Sequence, residues 1–208
     1  RTYFIVRVED KDCQVLEENV PATEEVISPQ LAYMMTYLLE GVVQRGTARQ
    51  ALSLAWPLGG KTGTTNKFTD AWFIGFSPSL CAGVWIGYDT KVTMGNSQSG
   101  AVVALPVWID FFKKVIEDKK KEYLAAQATS HENPEAGDQI LIEDFEVPPN
   151  LIFVTIDRKT GLLASPACQF PFQEVFLPGT EPTRYCSPQD HLRVLDYYSE
   201  KEAREERH

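Results

Sequence analysis

The chain has 208 residues, with 20 Lys and Arg against 29 Asp and Glu and a formal net charge of −9. That length buries a core and allows one or two domains. The acidic balance, with no run of Lys and Arg interleaved with aromatics, excludes a nucleic-acid-binding role, which needs clustered cations to displace counterions from phosphates.

In chain order, Tyr3–Val8 and Gln14–Glu17 flank the polar Glu9–Cys13 and read as a hairpin. Ser28 and Pro29 form an N-cap and first-turn pair for a helix running to about Gln44, with Gly46 as its stop. Leu31, Met34, Met35, Leu38, Val42 and Val43 give that helix a broad apolar face, the methionines serving as core filler. Two near-continuous apolar runs, Ala71–Phe76 and Cys81–Tyr88, are joined by the short turn Ser77–Leu80 and predict an antiparallel pair. Trp72, Phe73 and Trp85 are expected in the core or on a sheet face, and Asp70 to brace the turn before them.

A second helix is expected over Val102–Asp118, where Leu105, Trp108, Ile109, Phe112 and Ile116 recur at helical spacing, with Pro106 in its first turn or at a kink. Residues 119–146 lose periodicity and have linker composition. Leu151–Ile156 and Leu162–Ala164 predict a second hairpin around Asp157–Gly161, followed by a charged tail from Asp190. The domain reading is therefore 1–118, a flexible linker over 119–146, and a small β-rich extension over 147–208.

Four cysteines allow three complete pairings, and spacing does not choose among them. Cys81 opens an apolar strand and is expected to be a small buried residue, whereas Cys13 sits in a turn. The histidines His131, His191 and His208 fall in polar linker or tail sequence, none at ligand spacing with Cys or carboxylates. No metal site and no cofactor is expected.

The most specific feature is Gly60-Lys61-Thr62-Gly63-Thr64-Thr65, placed just before the apolar strand pair. K-T-G belongs, with S-x-x-K and S-D-N, to the signature set of serine acyl-transfer enzymes that act on D-Ala-D-Ala peptides and β-lactams. Here no serine is followed three positions later by lysine, and no Ser-x-Asn occurs. One wall of an active site is legible, without its nucleophile.

The surrounding wording extends the match. Glu40–Ala48, Gly60–Asn66, Asp70–Phe73, Gly83–Asp89, Ala104–Trp108, Val154–Asp157 with Thr160-Gly161, and Phe176–Pro182 with Cys186 closely resemble class A penicillin-binding proteins, the bifunctional peptidoglycan synthases of the bacterial envelope. The resemblance covers most of 1–118 and 147–186. It implies an α+β fold, a partial β-lactamase/transpeptidase-like antiparallel sheet packed on helices, followed by a small β-rich extension. The chain would supply the last three strands of a five-stranded sheet, while the serine-bearing helix, the glycosyltransferase domain and a membrane anchor would lie upstream. The setting implied is periplasmic or otherwise extracytoplasmic, and anchored through that absent segment.

Carried over residue by residue, the resemblance makes Lys61 the motif lysine whose charge favours a substrate carboxylate and polarises the proton relay around the serine. Thr62 and Thr64 supply hydroxyls to that carboxylate, with Gly63 and Thr65 completing the substrate-binding stretch. The Thr64 N–H becomes one of two oxyanion-hole donors. Partners would be stem peptides ending in D-Ala-D-Ala, β-lactams and the rest of the parent chain. Such proteins often carry a cysteine pair at the places of Cys168 and Cys186, which makes these two the disulfide candidate. The strand Cys81–Tyr88 would lose its sheet neighbour, so self-association through that exposed edge is expected. Two other functions suit the same residues: a non-catalytic envelope module binding peptides along the K-T-G edge, and a β-lactamase-like hydrolase.

Overall fold

The computed structural model describes residues 4–20, 24–129, 142–166, 168 and 170–192. The linker stretch 130–141 with His131, the tail from 193 with His208, and Tyr3 of the first predicted strand lie outside them.

The architecture is α+β. A three-stranded antiparallel sheet, β3 (Gly59–Thr64), β4 (Asp70–Phe76) and β5 (Cys81–Gly87), runs in the order β3-β4-β5. Cross-strand rows assign its faces. Gly60, Thr62 and Thr64 align with Gly75, Phe73 and Ala71, and these in turn with Ala82, Val84 and Ile86. Side chains of alternate residues share one side of a pleated sheet. This side buries Phe73 and Ala71 completely. The opposite side carries Lys61, Ile74, Trp72 and Trp85, and there the three apolar residues are 49%, 44% and 42% exposed.

Two helices cover the buried side. The first, α1 (Pro29–Arg45), starts where the Ser28 hydroxyl accepts from the Leu31 N–H at 3.3 Å and stops where Gly46 N–H donates to the Val42 carbonyl. Its C-terminal end meets the core through Val43. Leu31, Met35 and Leu38 of the predicted apolar face are instead exposed, because the three strands reach only the last turns of the helix. The second helix, α2 (Leu105–Thr129), is entered through a wide π-type turn, Gly100–Ala104, in which Leu105 N–H donates to the Gly100 carbonyl. Pro106 is the second residue of α2, and the wide turn before it accommodates the hydrogen bond that its missing N–H cannot make. Leu105, Trp108, Phe112 and Ile116 are buried as their spacing predicts.

The helix then continues eleven residues beyond the expected end at Asp118, into the predicted linker. Its added turns, Lys119–Thr129, consist largely of strong helix formers, so propensity extends a helix that packing has already nucleated. The chain returns with Glu143 3.8 Å from Lys119 and Phe145 edge-on to Phe76 at 5.6 Å.

The N-terminal hairpin pairs β1 (Arg7–Glu9) with β2 (Val15–Glu18), three residues shorter at its start within the described part than expected. Phe4, Ile5, Val6, Val15 and Leu16 are all exposed.

In the extension, β6 (Ile152–Asp157) pairs over six rows with β7 (Pro171–Phe176) on one side. On the other it meets Leu162–Ala164 as the expected short hairpin, with Asp157 N–H donating to the Leu162 carbonyl and Ala164 N–H to the Thr155 carbonyl around the antiparallel bridge from Ile156 to Leu163. The outward side of Leu163 carries the pairing one step further, its N–H donating to the Arg184 carbonyl and its carbonyl accepting from Cys186 N–H, while β7 is the longer partner that the sequence did not indicate. This unit docks on α1. Tyr33 and Tyr37 stand edge-on to Phe153, the Tyr37 hydroxyl donates to the Gln173 carbonyl, and the Arg45 guanidinium lies 4.3 Å above the Phe172 ring.

Near this docking surface Glu40 is half-buried, and its carboxyl is pushed up to about 7, first by burial and then by the Asp144 charge, against an opposing pull from Arg45. The folded state therefore holds this proton more tightly than the unfolded chain does. Its stabilising contribution is complete below pH 4.5 and is lost as pH rises toward 7. Glu40→Gln should stabilise the chain at pH 8 by about 1 kcal/mol, after discounting for solvent screening, and leave it unchanged at pH 4. Urea midpoints at the two pH values check this, and equal shifts at both would refute it.

Candidate functional site

The K-T-G strand β3 is an edge: no strand pairs with its outer side among the described residues. Thr65 N–H donates across to the Asp70 carbonyl at 3.1 Å. In an antiparallel pair the residues alternate between facing the partner and facing away. Gly63 and Lys61 therefore bond toward β4, while the N–H and C=O groups of Thr62 and Thr64 point to the open side. That is a ladder offering two donors and two acceptors to an extended peptide.

The side chains extend this pattern. Lys61 is exposed, and its Nζ bends over the edge to donate to the outward Thr62 carbonyl at 2.9 Å. A cation thus stands at the free edge, beside the outward amides. The Thr62 and Thr47 hydroxyls lie 3.1 Å apart, coupling the strand to the end of α1. Thr64 Oγ1 accepts from Gly100 N–H at 3.0 Å.

Thr65 has a different place. It lies in the turn after β3, where its hydroxyl accepts from Asp70 N–H at 2.8 Å and meets the Thr69 hydroxyl at 2.8 Å. Asp70 braces that turn, accepting from Thr69 Oγ1 and from Trp85 Nε1. These two donors, Thr69 first, hold its carboxyl below the usual carboxylate range. Lys61 to Thr64 are thus brought together on one edge, and Thr65 serves the corner behind it.

Gly100 escapes sequence reasoning although it matters to this edge. A Cβ there would collide with the Trp72 carbonyl oxygen and reach 2.8 Å from that of Gly63, both backbone atoms of the sheet. Its only signal in the sequence is its position at the junction of a Gly/Asn/Ser loop with an apolar run. Gly100→Ala should cost about 3 kcal/mol, since neither carbonyl can move without shifting a strand. A denaturation midpoint within error of the parent would contradict this packing.

A second Lys-Thr-Gly, Lys159–Gly161, stands in a turn and not on a sheet edge. It forms a tight turn whose N–H groups at Lys159 and Thr160 donate to Asp157 Oδ1, with Gly161 at φ +70°. Cys168 and Cys186 are joined by a disulfide, and Cys13 is free and exposed. Cys81 is also free and exposed, contrary to the expectation of burial, because it opens an edge strand on the uncovered side of the sheet. His191 needs a correction too. Its Nε2 lies 3.7 Å from Asp157 Oδ2, beside the cysteine pair, although no local spacing indicates it.

Comparison with known proteins agrees with this geometry. Residues 2–117 match the family model for the penicillin binding protein transpeptidase domain, and residues 147–190 match that for the penicillin-binding protein 1A C-terminal domain. The chain is 42% identical over 187 residues to penicillin-binding protein 1A of Aquifex aeolicus, covering 90% of this chain and 23% of that protein. It is 35% identical over 164 residues to penicillin-binding protein 1A of Pseudomonas aeruginosa, covering 78% and 17%. The crystal structure of penicillin-binding protein 1A from Haemophilus influenzae superposes with a TM-score of 0.63 at 25% identity, over 90% of this chain and 30% of that one. The chain thus spans about a quarter or less of the curated relatives' length. With a K-T-G strand on a free sheet edge and more than half of its residues matching the transpeptidase model, it belongs to the penicillin-binding protein transpeptidase family.

Proposed function

We propose that this chain supplies the K-T-G wall of a serine D,D-transpeptidase whose complete protein cross-links peptidoglycan stem peptides. The observation that carries the reading is the free edge of β3, with the N–H groups of Thr62 and Thr64 turned outward beside the Lys61 ammonium. In the complete enzyme a serine Oγ attacks the carbonyl of the penultimate D-Ala. The C–N bond to the terminal D-Ala breaks, and that residue leaves as the protonated amine. An amine of a neighbouring stem peptide then attacks the acyl-enzyme, forms the new amide and returns the proton to the serine.

Within this scheme the Thr64 N–H is one donor to the developing oxyanion, and losing one such donor costs about a hundredfold or more. The Thr62 and Thr64 hydroxyls and the Lys61 charge receive the terminal carboxylate. A β-lactam presents the same carbonyl-and-carboxylate pair, and its opened ring stays attached to the serine. The serine, an upstream glycosyltransferase domain and a membrane anchor facing the periplasm are parts of the same proposal. Among the described residues no helix is long and apolar enough to cross a membrane.

The test is intact mass after incubation with a β-lactam, on this chain and on a form extended upstream through an S-x-x-K motif. One drug adduct on the longer form alone is the expected result. An adduct on the short form would mean that the nucleophile lies within these residues. Adducts on neither would favour a non-catalytic peptide-binding module.

The exposed side of the sheet gives a further expectation. Trp72, Ile74 and Trp85 make a contiguous apolar patch, the Trp72 and Trp85 ring centroids lying 6.3 Å apart, and among the described residues β5 is an unpaired edge beside it. In the proposed enzyme the upstream half of the domain covers both. Alone, the chain should sediment with a concentration-dependent mass, and Ile74→Lys with Trp85→Lys should restore the monomer. A concentration-independent monomer of the unaltered chain would oppose this.

A further inference from the structure

The C-terminal extension holds a cluster that the transpeptidase reading leaves unused. One ligand atom each from Asp157, Cys168, Cys186 and His191 lies within 4.8 Å of all the others. Asp157 is fully buried at the end of β6. Its Oδ1 accepts from Lys159 N–H, Thr160 N–H and the Thr160 hydroxyl at 3.0–3.1 Å. Its Oδ2 is buried without any hydrogen-bond partner and faces His191 Nε2 at 3.7 Å. A carboxylate oxygen taken from water and left unpaired is costly unless a cation completes it.

The surroundings of the other three residues resemble the outer shell of a metal centre. Ser165 N–H points at Cys168 Sγ at 3.2 Å, and the Ser165 hydroxyl lies 3.4 Å from that sulfur and 3.7 Å from Cys186 Sγ. Such donors favour thiolates. Cys186 and His191 flank a rigid box in which Asp190 accepts from the Ser187 N–H and hydroxyl and from both terminal nitrogens of Arg184. The Cα atoms of the two cysteines stand 7.3 Å apart. That exceeds the roughly 4.4–6.8 Å usual across a disulfide, so once the bond is reduced the backbone lets the two sulfurs part around an ion.

We propose that Asp157 Oδ2, Cys168 Sγ, Cys186 Sγ and His191 Nε2 form a tetrahedral site for one zinc-class divalent cation, the disulfide being the oxidised, metal-free alternative of the same cage. A tetrahedral zinc centre holds its ligand atoms about 3.3–3.8 Å from one another, so the widest separation contracts by about 1 Å while the two sulfurs move apart from bonding distance after reduction. Two thiolates, an imidazole and a carboxylate suit zinc better than calcium or magnesium, which take oxygen ligands. Binding replaces the two thiol protons by the cation and releases them to solvent. Starting from the disulfide, a phosphine first supplies the two electrons, becoming the phosphine oxide, and water supplies its oxygen and the two thiol protons. The ion would tie β6, the cysteine loop and the chain's last described turn together, and so stiffen the unit docked on α1.

The test uses the 208-residue chain with Cys13→Ser and Cys81→Ser, which removes the exposed thiols and leaves the cage untouched. After reduction by a phosphine and anaerobic desalting, cobalt(II) is added as a spectroscopic probe and then displaced by zinc(II). Expected are one cobalt per chain, intense tetrahedral d–d bands with a thiolate-to-cobalt charge-transfer band, and loss of both on zinc addition. Zinc should also protect two thiols from alkylation. Asp157→Asn keeps the carbonyl that accepts from Lys159 and Thr160, so it preserves the turn while removing a ligand. It should weaken cobalt binding at least about tenfold. His191→Ala should do likewise, and His191→Cys should restore binding with a stronger charge-transfer band. Absence of a tetrahedral spectrum overturns the proposal. So does a spectrum and affinity indifferent to Asp157→Asn and His191→Ala, or a cysteine pair that stays bonded in the folded chain under excess phosphine.

Discussion

In the proposed complete transpeptidase, Lys61→Ala should slow β-lactam acylation about a thousandfold, equivalent to about 4 kcal/mol of lost transition-state stabilisation. Lys61 belongs to the sheet's exposed side by register, yet its ammonium curls over the edge onto the Thr62 carbonyl. Its charge therefore stands beside the outward-facing N–H groups of Thr62 and Thr64, where the proposed function puts a substrate carboxylate and a developing oxyanion. Truncation removes this charge without disturbing the core, because the side chain packs against none of the buried cluster. Lys61→Arg should fall between the two. It keeps the charge, but a planar, strongly basic guanidinium neither fits one carbonyl as a point donor nor takes part readily in proton transfer. The readout is the second-order acylation rate with a fluorescent penicillin, together with the melting temperature of each variant. A Lys61→Ala rate within a few-fold of the parent, at unchanged stability, would remove Lys61 from the machinery.

The same residue illustrates what sequence discloses here. The strand β3 and its neighbours are readable because two apolar runs follow the K-T-G tripeptide with a four-residue turn between them, and antiparallel neighbours joined by tight turns pair locally. The first helix is bounded by Ser28-Pro29 and Gly46, signals that act within one turn. What stays hidden is long-range. Leu162–Ala164 is legible as a partner of β6 because a tight turn joins them, whereas Pro171–Phe176, which pairs with the other side of β6 over six rows, lies beyond a loop with no local signal. Continuation of α2 to Thr129 reflects helix propensity without apolar periodicity. The exposure of Cys81 depends on which sheet face is covered, which alternation alone does not determine. The Asp157, Cys168, Cys186 and His191 cluster draws its members from the end of β6, two loops and a short helical turn, so no local spacing announces it. For the site, the edge residues Lys61 to Thr64 are legible from the motif, whereas Gly100 and Thr47, which hold that edge in place, are visible only in three dimensions.

The second large effect concerns Trp108, which fixes the sheet to α2. Its indole is fully buried, stacked on Phe112 at 3.9 Å and edge-on to Phe73 at 5.1 Å, with Nε1 donating to the Ala82 carbonyl on β5 at 3.0 Å. Gly75 makes this approach possible, since a Cβ there would lie 2.5 Å from Trp108 Cζ2. Trp108→Ala should cost about 3–5 kcal/mol, from lost burial and the cavity left between helix and sheet. The unpaired Ala82 carbonyl adds to that cost. Against a typical total of about 5–15 kcal/mol, most of the folded population is then at risk. Trp108→Phe should recover much of the packing but not the hydrogen bond, leaving about 1–2 kcal/mol of loss. Gly75→Ala should resemble Trp108→Ala in size, by forcing the ring away from the strand. Urea unfolding followed by far-UV circular dichroism orders the three variants. The consequence reaches the active edge: Phe73, which Trp108 supports, aligns across β4 with Thr62, so a sheet that slides on α2 carries the outward amides of β3 with it. In the complete enzyme Trp108→Phe should therefore slow acylation several-fold while Lys61 and Thr64 remain intact. Acylation at the parent rate, with the stability loss present, would show that edge geometry is set by β3 and Gly100 alone.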